Sequence, residues 1–456
     1  MSASISRRSF LVGCCSAIAA YAGSRITNLA FAAPSGNSFA DTDRLVVLFL
    51  RGGWDALNIV PPISGEDRGI YELERPNIQI PTNGETAAIN LNGQFGLHPS
   101  MAPLAQFYQG GKLAIIQGVG LDYDTRSHFD AMQFIELGTP GQKTIGTGWL
   151  TRHLQTAPNL PPTMLFPALS AGGSQAMSLL GTNDAVSLSD PSGFRLHGNW
   201  EYEDLQRAAL RDLYNGPSWL EIAGTETLDM VDLIESTNPG DYAASNGAVY
   251  PNGSFGDNLQ AIAQLIKMQV GMQVATIDLG GWDTHENQGD DGGGYFATNL
   301  LSPLAKGLAA FYTDLNGGCE ANFMQRTTVV VMSEFGRRLK ENANHGTDHG
   351  HGNVMLVLGG SVKGGKFYGQ WPGLRNDQLY DGADVRITTD FRRVLSEIIT
   401  RRLGNPNISQ VFPDYSGFTP LDFMVNAYPE PIEIPPGLDQ KSYLPLVSAP
   451  GDGLCP

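Results

Sequence analysis

The chain has 456 residues, of which 41% are hydrophobic and 16% charged, with 55 Gly and 28 Pro. That hydrophobic share excludes a disordered polymer, and no apolar run reaches the roughly 20 residues that cross a bilayer as a helix. With 46 Asp+Glu against 29 Lys+Arg the formal charge is −17, which argues against a general nucleic-acid or anionic-membrane binder, because phosphate backbones are met by basic surfaces.

At the N-terminus, Ser6-Arg7-Arg8-Ser9-Phe10-Leu11 precedes an uncharged, mostly apolar stretch to Ser24, and Ala30-Phe31-Ala32 offers a small-residue cleavage site. This reads as a twin-arginine export signal over residues 1–33, with the twin-arginine translocase as partner and a periplasmic or extracellular destination. Its removal takes away Arg7, Arg8 and Arg25 and no acid, leaving a formal charge of −20. Cys14 and Cys15 leave with it. Cys319 and Cys455 remain, enough for one disulfide but too few for a cysteine-rich metal site.

Beyond a polar linker, Leu45-Val46-Val47-Leu48-Phe49-Leu50 is apolar on both faces, as central strands covered on both sides are. Comparable runs follow at Leu113 to Val119, Val274 to Leu279, Thr327 to Met332 and Val354 to Leu358. Helical patterns lie between them at His128 to Leu137, Tyr202 to Tyr214, Asn258 to Val270, Leu300 to Leu315 and Phe391 to Leu403. Alternating strands and helices predict an α/β fold with a largely parallel sheet in a domain spanning 44–456. Residues 155–256, rich in Pro, Gly, Ser and Asn, are expected to form an insertion or cap. A Pro-rich tail covers 404–456.

Ligands of an open α/β sheet sit beyond the carboxyl ends of its strands. The first strand ends in RGGWDALN, with Arg51 and Asp55. The second leads into Thr125, Arg126, Ser127 and His128 at a helix start. The third is followed by Asp283 and His285, the fourth by Glu334, and the fifth is preceded by His345, Asp348, His349 and His351. Carboxylates and imidazoles without thiolates are a ligand set for a divalent metal: Zn, Mn, Fe, Mg or Ca, as one or two ions. The bland alternatives are that Asp55 caps a turn and that Asp283-Thr284-His285 forms an Asx-type turn. Three candidate ligands within Asp348-His349-Gly350-His351 have no such ready alternative. Ser127 is either a nucleophile facing the positive end of a helix or that helix's N-cap, and Thr125 shares both readings. Arg126 and Arg51 are candidate forks for substrate oxygens. His98 and His153, without neighbouring acids, read as structural.

The strings FLRGGWDALN, FGLHP, RSHFDAM, GGWDTHENQ, SEFGR and GTDHGHGNVMLVLGGSVKGG resemble those of a bacterial, twin-arginine-exported family described only as a domain of unknown function. That family is itself similar to the alkaline phosphatase and sulfatase superfamily. The resemblance runs from about Arg44 to about Leu403. It implies a three-layer α/β/α fold and a metal-dependent hydrolase of phosphate or sulfate esters, acting on an anionic small-molecule or polymer substrate. The alternative is a non-catalytic envelope protein with a binding or assembly role. Carried over by residue, Asp55 matches the aspartate bridging metal and nucleophile and Ser127 falls near the catalytic hydroxyl, while the residues themselves add Arg126 beside it as a catalytic candidate. Asp283 and His285 resemble the later strand-end pair; the final ligands are either Glu334 with His349 or His351, or, if Asp348-His349-Gly350 is the superfamily's Asp-His-Gly, Asp348 with His349. The residues themselves put Arg51 and His128 at the substrate. Asp283 and His285 stand two apart where the superfamily spaces them by four. Glu334 occupies the place of a superfamily aspartate, and Phe335 that of its histidine.

Overall fold

The computed structural model describes residues 42–425, apart from 159, 161–163, 165, 183, 199, 291 and 318–321. Residues 1–33, expected to be an export signal, and all four cysteines therefore lie outside the described residues.

The first apolar run forms β1 (Arg44–Leu50). Two short strands, β2 (Ile89–Asn90) and β3 (Gly96–Leu97), make a small hairpin before β4 (Leu113–Gly120). Then come β5 (Ala168–Ala171), β6 (Ala185–Leu188), β7 (Val274–Leu279) and β8 (Thr327–Ser333). The chain continues through β9 (Arg337–Glu341), β10 (Thr347–His349), β11 (Asn353–Gly359), β12 (Lys366–Tyr368) and β13 (Thr389–Asp390). Nine of these form one sheet in the order β12-β4-β11-β8-β1-β7-β5-β6, with β13 also on β4, while β9 and β10 form a separate antiparallel pair.

Within the large sheet β1 runs parallel to β7 and β8, β5 parallel to β6 and β7, and β12 and β13 parallel to β4. Only β11 is antiparallel to its neighbours β4 and β8. The consequence is functional. The carboxyl ends of β1, β4, β7 and β8 and the amino end of β11 all open on the same edge, so segments far apart in sequence empty into one place.

All five runs read as buried strands are strands, each within one residue of the expected ends. Their two-sided apolar character has a direct cause. Val46, Leu48 and Leu50 of β1 face a core shared with the helices Ala102–Gln109, Ser254–Met268 and Ser302–Leu315. Leu45, Val47 and Phe49 face another, shared with the helices His128–Leu137, Trp149–Thr156 and Phe391–Arg401. Residues 155–256, expected as an insertion or cap, supply β5 and β6 to the main sheet as well as an ion-paired helix pair, Glu203–Leu213 and Trp219–Ser236. β5 and β6 are only four residues long, too short for period or hydrophobic run to stand out. Among the described residues no helix is long and apolar enough to cross a membrane.

Candidate metal centre

Register brings the pieces together. Leu50 pairs with Leu279 on one side and Ser333 on the other, so the turns after β1, β7 and β8 leave the sheet side by side. Two close backbone approaches make the crossing loops fit. Gly52 has φ +125°, and a Cβ there would lie 2.5 Å from the Asp283 nitrogen. A Cβ on Gly350 would lie 2.4 Å from the Arg337 carbonyl carbon. Only glycine accommodates both constraints.

Four side-chain atoms then converge. His128 Nε2 and His285 Nε2 each lie 2.8 Å from His349 Nε2. Asp283 Oδ1 lies 3.2 Å from His128 Nε2, 3.0 Å from His285 Nε2 and 3.2 Å from His349 Nε2. The opposite nitrogen of each ring is committed to an acceptor. His128 Nδ1 meets Glu334 Oε1 at 2.6 Å, His349 Nδ1 meets the Arg126 carbonyl at 2.8 Å, and His285 Nδ1 meets Asp348 Oδ1 at 3.2 Å. A carbonyl or a carboxylate only accepts, so each Nδ1 is the N–H donor, and in the neutral tautomer each Nε2 is a bare lone pair. The lone pairs of His128 and His285 each lie 2.8 Å from that of His349, with a carboxylate oxygen 3.0–3.2 Å from all three, and such a group repels unless a cation or proton lies among its members. Imidazoles oriented by carboxylates and a backbone carbonyl are the arrangement that metal-binding histidines show.

The surroundings set the charges. Glu334 is fully buried, and its Oε1 also accepts the Gly52 N–H at 2.8 Å. Arg337, likewise buried, donates to Asp283 Oδ1 at 2.7 Å, to the Gly53 carbonyl at 2.6 Å and to the Thr347 carbonyl at 2.8 Å, and also reaches the Gly52 carbonyl. One guanidinium thus ties the turns after β1 and β7 to the β9–β10 hairpin. Burial works against the charge on Asp283, but Arg337 with the neighbouring histidines holds its carboxyl down at about 2. Burial likewise opposes a proton on His128, but the Glu334 hydrogen bond and charge raise its pKa. His349 is lowered, chiefly by burial and further by the charges of His128 and Arg337. Phe335 walls the inner side, its ring 4.8 Å from His128 and 5.0 Å from His349. The outer side is open, with the Asp283 and His285 side chains 48% and 41% exposed.

The remaining candidates sit elsewhere. Asp55 is sealed inside, paired with Arg75 at 2.6 Å and accepting from Gln288 at 2.7 Å, with its Oδ1 unpartnered; it is not among the convergent atoms. Glu334 and Asp348 orient His128 and His285 from the far ring nitrogen and are not among the converging atoms. His351 stacks on Tyr380 at 4.2 Å, outside the cluster. Ser127 Oγ accepts the Asp130 N–H at 3.4 Å as the N-cap of the helix His128–Leu137, and Thr125 Oγ1 accepts the Ser127 N–H at 3.2 Å. Arg126 contributes its carbonyl to His349 while its guanidinium holds Asp384 at 2.7 Å. Arg51 is engaged by Glu136 at 3.0 Å and Asp278 at 2.7 Å. His98 and His153 are buried structural histidines, both lowered to about 4 by burial.

A family model described as a protein of unknown function (DUF1501) matches residues 42–404. The chain belongs to the DUF1501 family. No curated protein matches the sequence. The matched span holds every residue of the cluster and stops just past the helix Phe391–Arg401, so the whole centre is part of the DUF1501 domain. The sequence pattern puts His128 at the substrate and gives Arg337 no role. The signal for His128 was its position at a helix start on the same sheet edge; for Arg337 there was none, because its acceptors are mostly main-chain carbonyls.

Proposed function

We propose that this protein is an exported metal-dependent hydrolase of phosphate or sulfate esters, built on a three-layer α/β/α fold of the alkaline phosphatase kind. His128, Asp283, His285 and His349 hold one divalent ion. The observation that supports it is the convergence of three bare imidazole nitrogens and one carboxylate oxygen, each imidazole oriented by an acceptor on its far side. Three nitrogens and one oxygen suit Zn, Fe or Mn better than Mg or Ca, which take oxygen ligands. Such an ion, when bound, polarises an ester oxygen and acidifies water.

The chain's own residues supply the rest. Glu334 and Asp348 keep the Nδ1 protons on His128 and His285, so both present Nε2 outward. Phe335 excludes water from the inner wall, and the exposed side at Asp283 and His285 admits the ester. Ser127, one residue before His128, offers a hydroxyl that accepts an N-cap bond and remains free to be a nucleophile.

A second reading, a non-catalytic metal-binding envelope protein, is favoured by one observation. Asp55, to which the superfamily resemblance gives a metal-bridging role, is buried against Arg75. Elemental analysis of purified protein, with a phosphate and sulfate ester panel on wild type, Ser127→Ala and His349→Ala, separates the two. The hydrolase reading expects about one equivalent of metal, turnover in wild type and loss of both in His349→Ala. Metal without turnover of any ester selects the second reading, and absence of metal removes both. Retention of an Arg7→Lys/Arg8→Lys reporter fusion in the cytoplasm tests export.

A further inference from the structure

The four converging side chains are not held alike. The ligand atoms of His128, Asp283 and His349 all lie within 4.8 Å of one another, and His285 Nε2 meets two of these residues, His349 at 2.8 Å and Asp283 at 3.0 Å. Each of the three is backed from inside the protein. His128, 17% exposed, is fixed through Nδ1 to the fully buried Glu334 at 2.6 Å, with its ring 4.8 Å from Phe335. His349, 22% exposed, is fixed to the Arg126 main-chain carbonyl and has the rings of His128 and Phe335 at 4.2 and 5.0 Å. Asp283, though half exposed, is gripped by the buried Arg337.

His285 is backed from the solvent side. Its side chain is 41% exposed, and Asp348, which accepts from its Nδ1, is 52% exposed and 3.2 Å away. Its main chain, by contrast, is tied down. Asn342 Nδ2 donates to the His285 carbonyl at 2.8 Å, the Thr347 N–H to the Thr284 carbonyl at 3.0 Å, and the Gln288 N–H to the His345 carbonyl at 2.9 Å. Displacement of the His285 imidazole is therefore a change of side-chain rotamer on a fixed backbone. The costs of such a turn differ sharply among the histidines. Turning His128 aside strips its donor from a buried carboxylate, the costly case. Turning His285 aside breaks one long bond to an exposed carboxylate that keeps Asn342 Nδ2 at 3.1 Å and is open to water. No buried group is left unpaired.

We propose that His285 is the exchangeable ligand of the centre: it closes the site at rest and swings toward solvent to yield its place to an incoming phosphate or sulfate group, while His128, Asp283 and His349 hold the ion. The inference rests on the metal-centre reading above and deepens it, because closed sites are structural and a position open to substrate marks a catalytic one.

The test is calorimetric titration of zinc-loaded protein with inorganic phosphate, wild type against His285→Ala, with zinc affinity and apo melting temperature measured for these and for His128→Ala and His349→Ala. His285→Ala is expected to keep its zinc with affinity lowered about 10–100-fold, no more than loss of an orienting group costs, where the other two variants lose it. Phosphate is expected to bind His285→Ala about tenfold more tightly than wild type, because the fraction of molecules closed by His285 no longer subtracts from its affinity. Free imidazole, by competing for the vacated place, should return that affinity toward wild type. His285→Gln is the second variant should alanine lower the apo melting temperature, with the same sign expected. In copper-loaded wild type, pulsed electron paramagnetic resonance should count three coordinated imidazoles without phosphate and two at saturation. Zinc lost from His285→Ala as completely as from His349→Ala overturns the inference. So does phosphate bound no more tightly than in wild type, or a count of three imidazoles in both conditions. The expected phosphate behaviour without turnover of any ester keeps the exchangeable ligand and removes the hydrolase reading. Ester turnover in wild type with zinc lost from His285→Ala does the reverse.

Discussion

Replacing Glu334 with glutamine isolates the role of one buried charge. Glu334 Oε1 accepts two donors, His128 Nδ1–H at 2.6 Å and the Gly52 N–H at 2.8 Å, while Oε2 lies 2.9 Å from Ser333 Oγ. A glutamine places its carbonyl oxygen at the first position and its amide at the second. There Ser333 Oγ accepts the amide proton and still donates to the Leu50 carbonyl at 2.6 Å. Every hydrogen bond survives and only the charge is lost, so the apo fold weakens by about 1 kcal/mol, the difference between a charge-assisted and a neutral bond. Metal affinity falls further, because a neutral partner no longer raises the basicity of His128. Loss of such an orienting group typically costs 10–100-fold in affinity, about 1.4–2.7 kcal/mol. Competition with a chromophoric chelator measures the affinity, and urea unfolding of apo and loaded protein separates the two effects. Affinity within twofold of wild type, with the apo protein destabilised by several kcal/mol, would refute the reasoning and make Glu334 a purely structural acid. Complete loss of the ion, matching His349→Ala, would make it a direct ligand.

Other outcomes follow from the same geometry. Ser127→Ala removes an N-cap bond and is expected to lower stability by about 0.5–1 kcal/mol in urea melts; abolished turnover at unchanged metal content adds the nucleophile role, and full activity excludes it. Arg75→Met leaves Asp55 buried without its cation and should cost about 3–5 kcal/mol, with Asp55→Asn recovering part of it in the double variant; a loss under 1 kcal/mol contradicts the pairing. Burial, with the nearby charges of Asp184 and Asp229, raises Glu226 from 4.5 to about 7. Its native form thus binds more protons than the unfolded chain between these values, and its contribution to stability declines as pH rises from about 4.5 to 7. Discounted for partial solvent screening this is about 1–2 kcal/mol, and Glu226→Gln should flatten that slope and be the more stable variant at pH 8; identical pH profiles would contradict the shift.

The central strands and the amphipathic helices were legible because two-sided burial writes continuous apolar runs and one-sided burial writes a helical period. The helix His128 to Leu137 was read to its end residues, since Ser127 caps it and Gly138 closes it in the left-handed region. The candidate ligands were legible too, as histidines and carboxylates gathered at strand ends. What pattern alone left unresolved was which of them meet. Asp55 and Asp283 both follow glycine-tryptophan after a parallel strand, yet one is locked against Arg75 and the other stands among three imidazoles.

Local sequence determined the elements, because period, caps and turn chemistry act within a few residues. Tertiary structure alone decided the centre. The reversal of β11 carries His349 onto the edge where β1, β4, β7 and β8 end, and Arg337 binds carbonyls from the turns after β1 and β7 and from β10 across that edge. The sorting of converging atom from orienting partner depends on which ring nitrogen faces which group, across contacts of 2.6–3.2 Å between residues up to 223 positions apart. Such distances are fixed by sheet order and register, which no local stretch of the chain encodes.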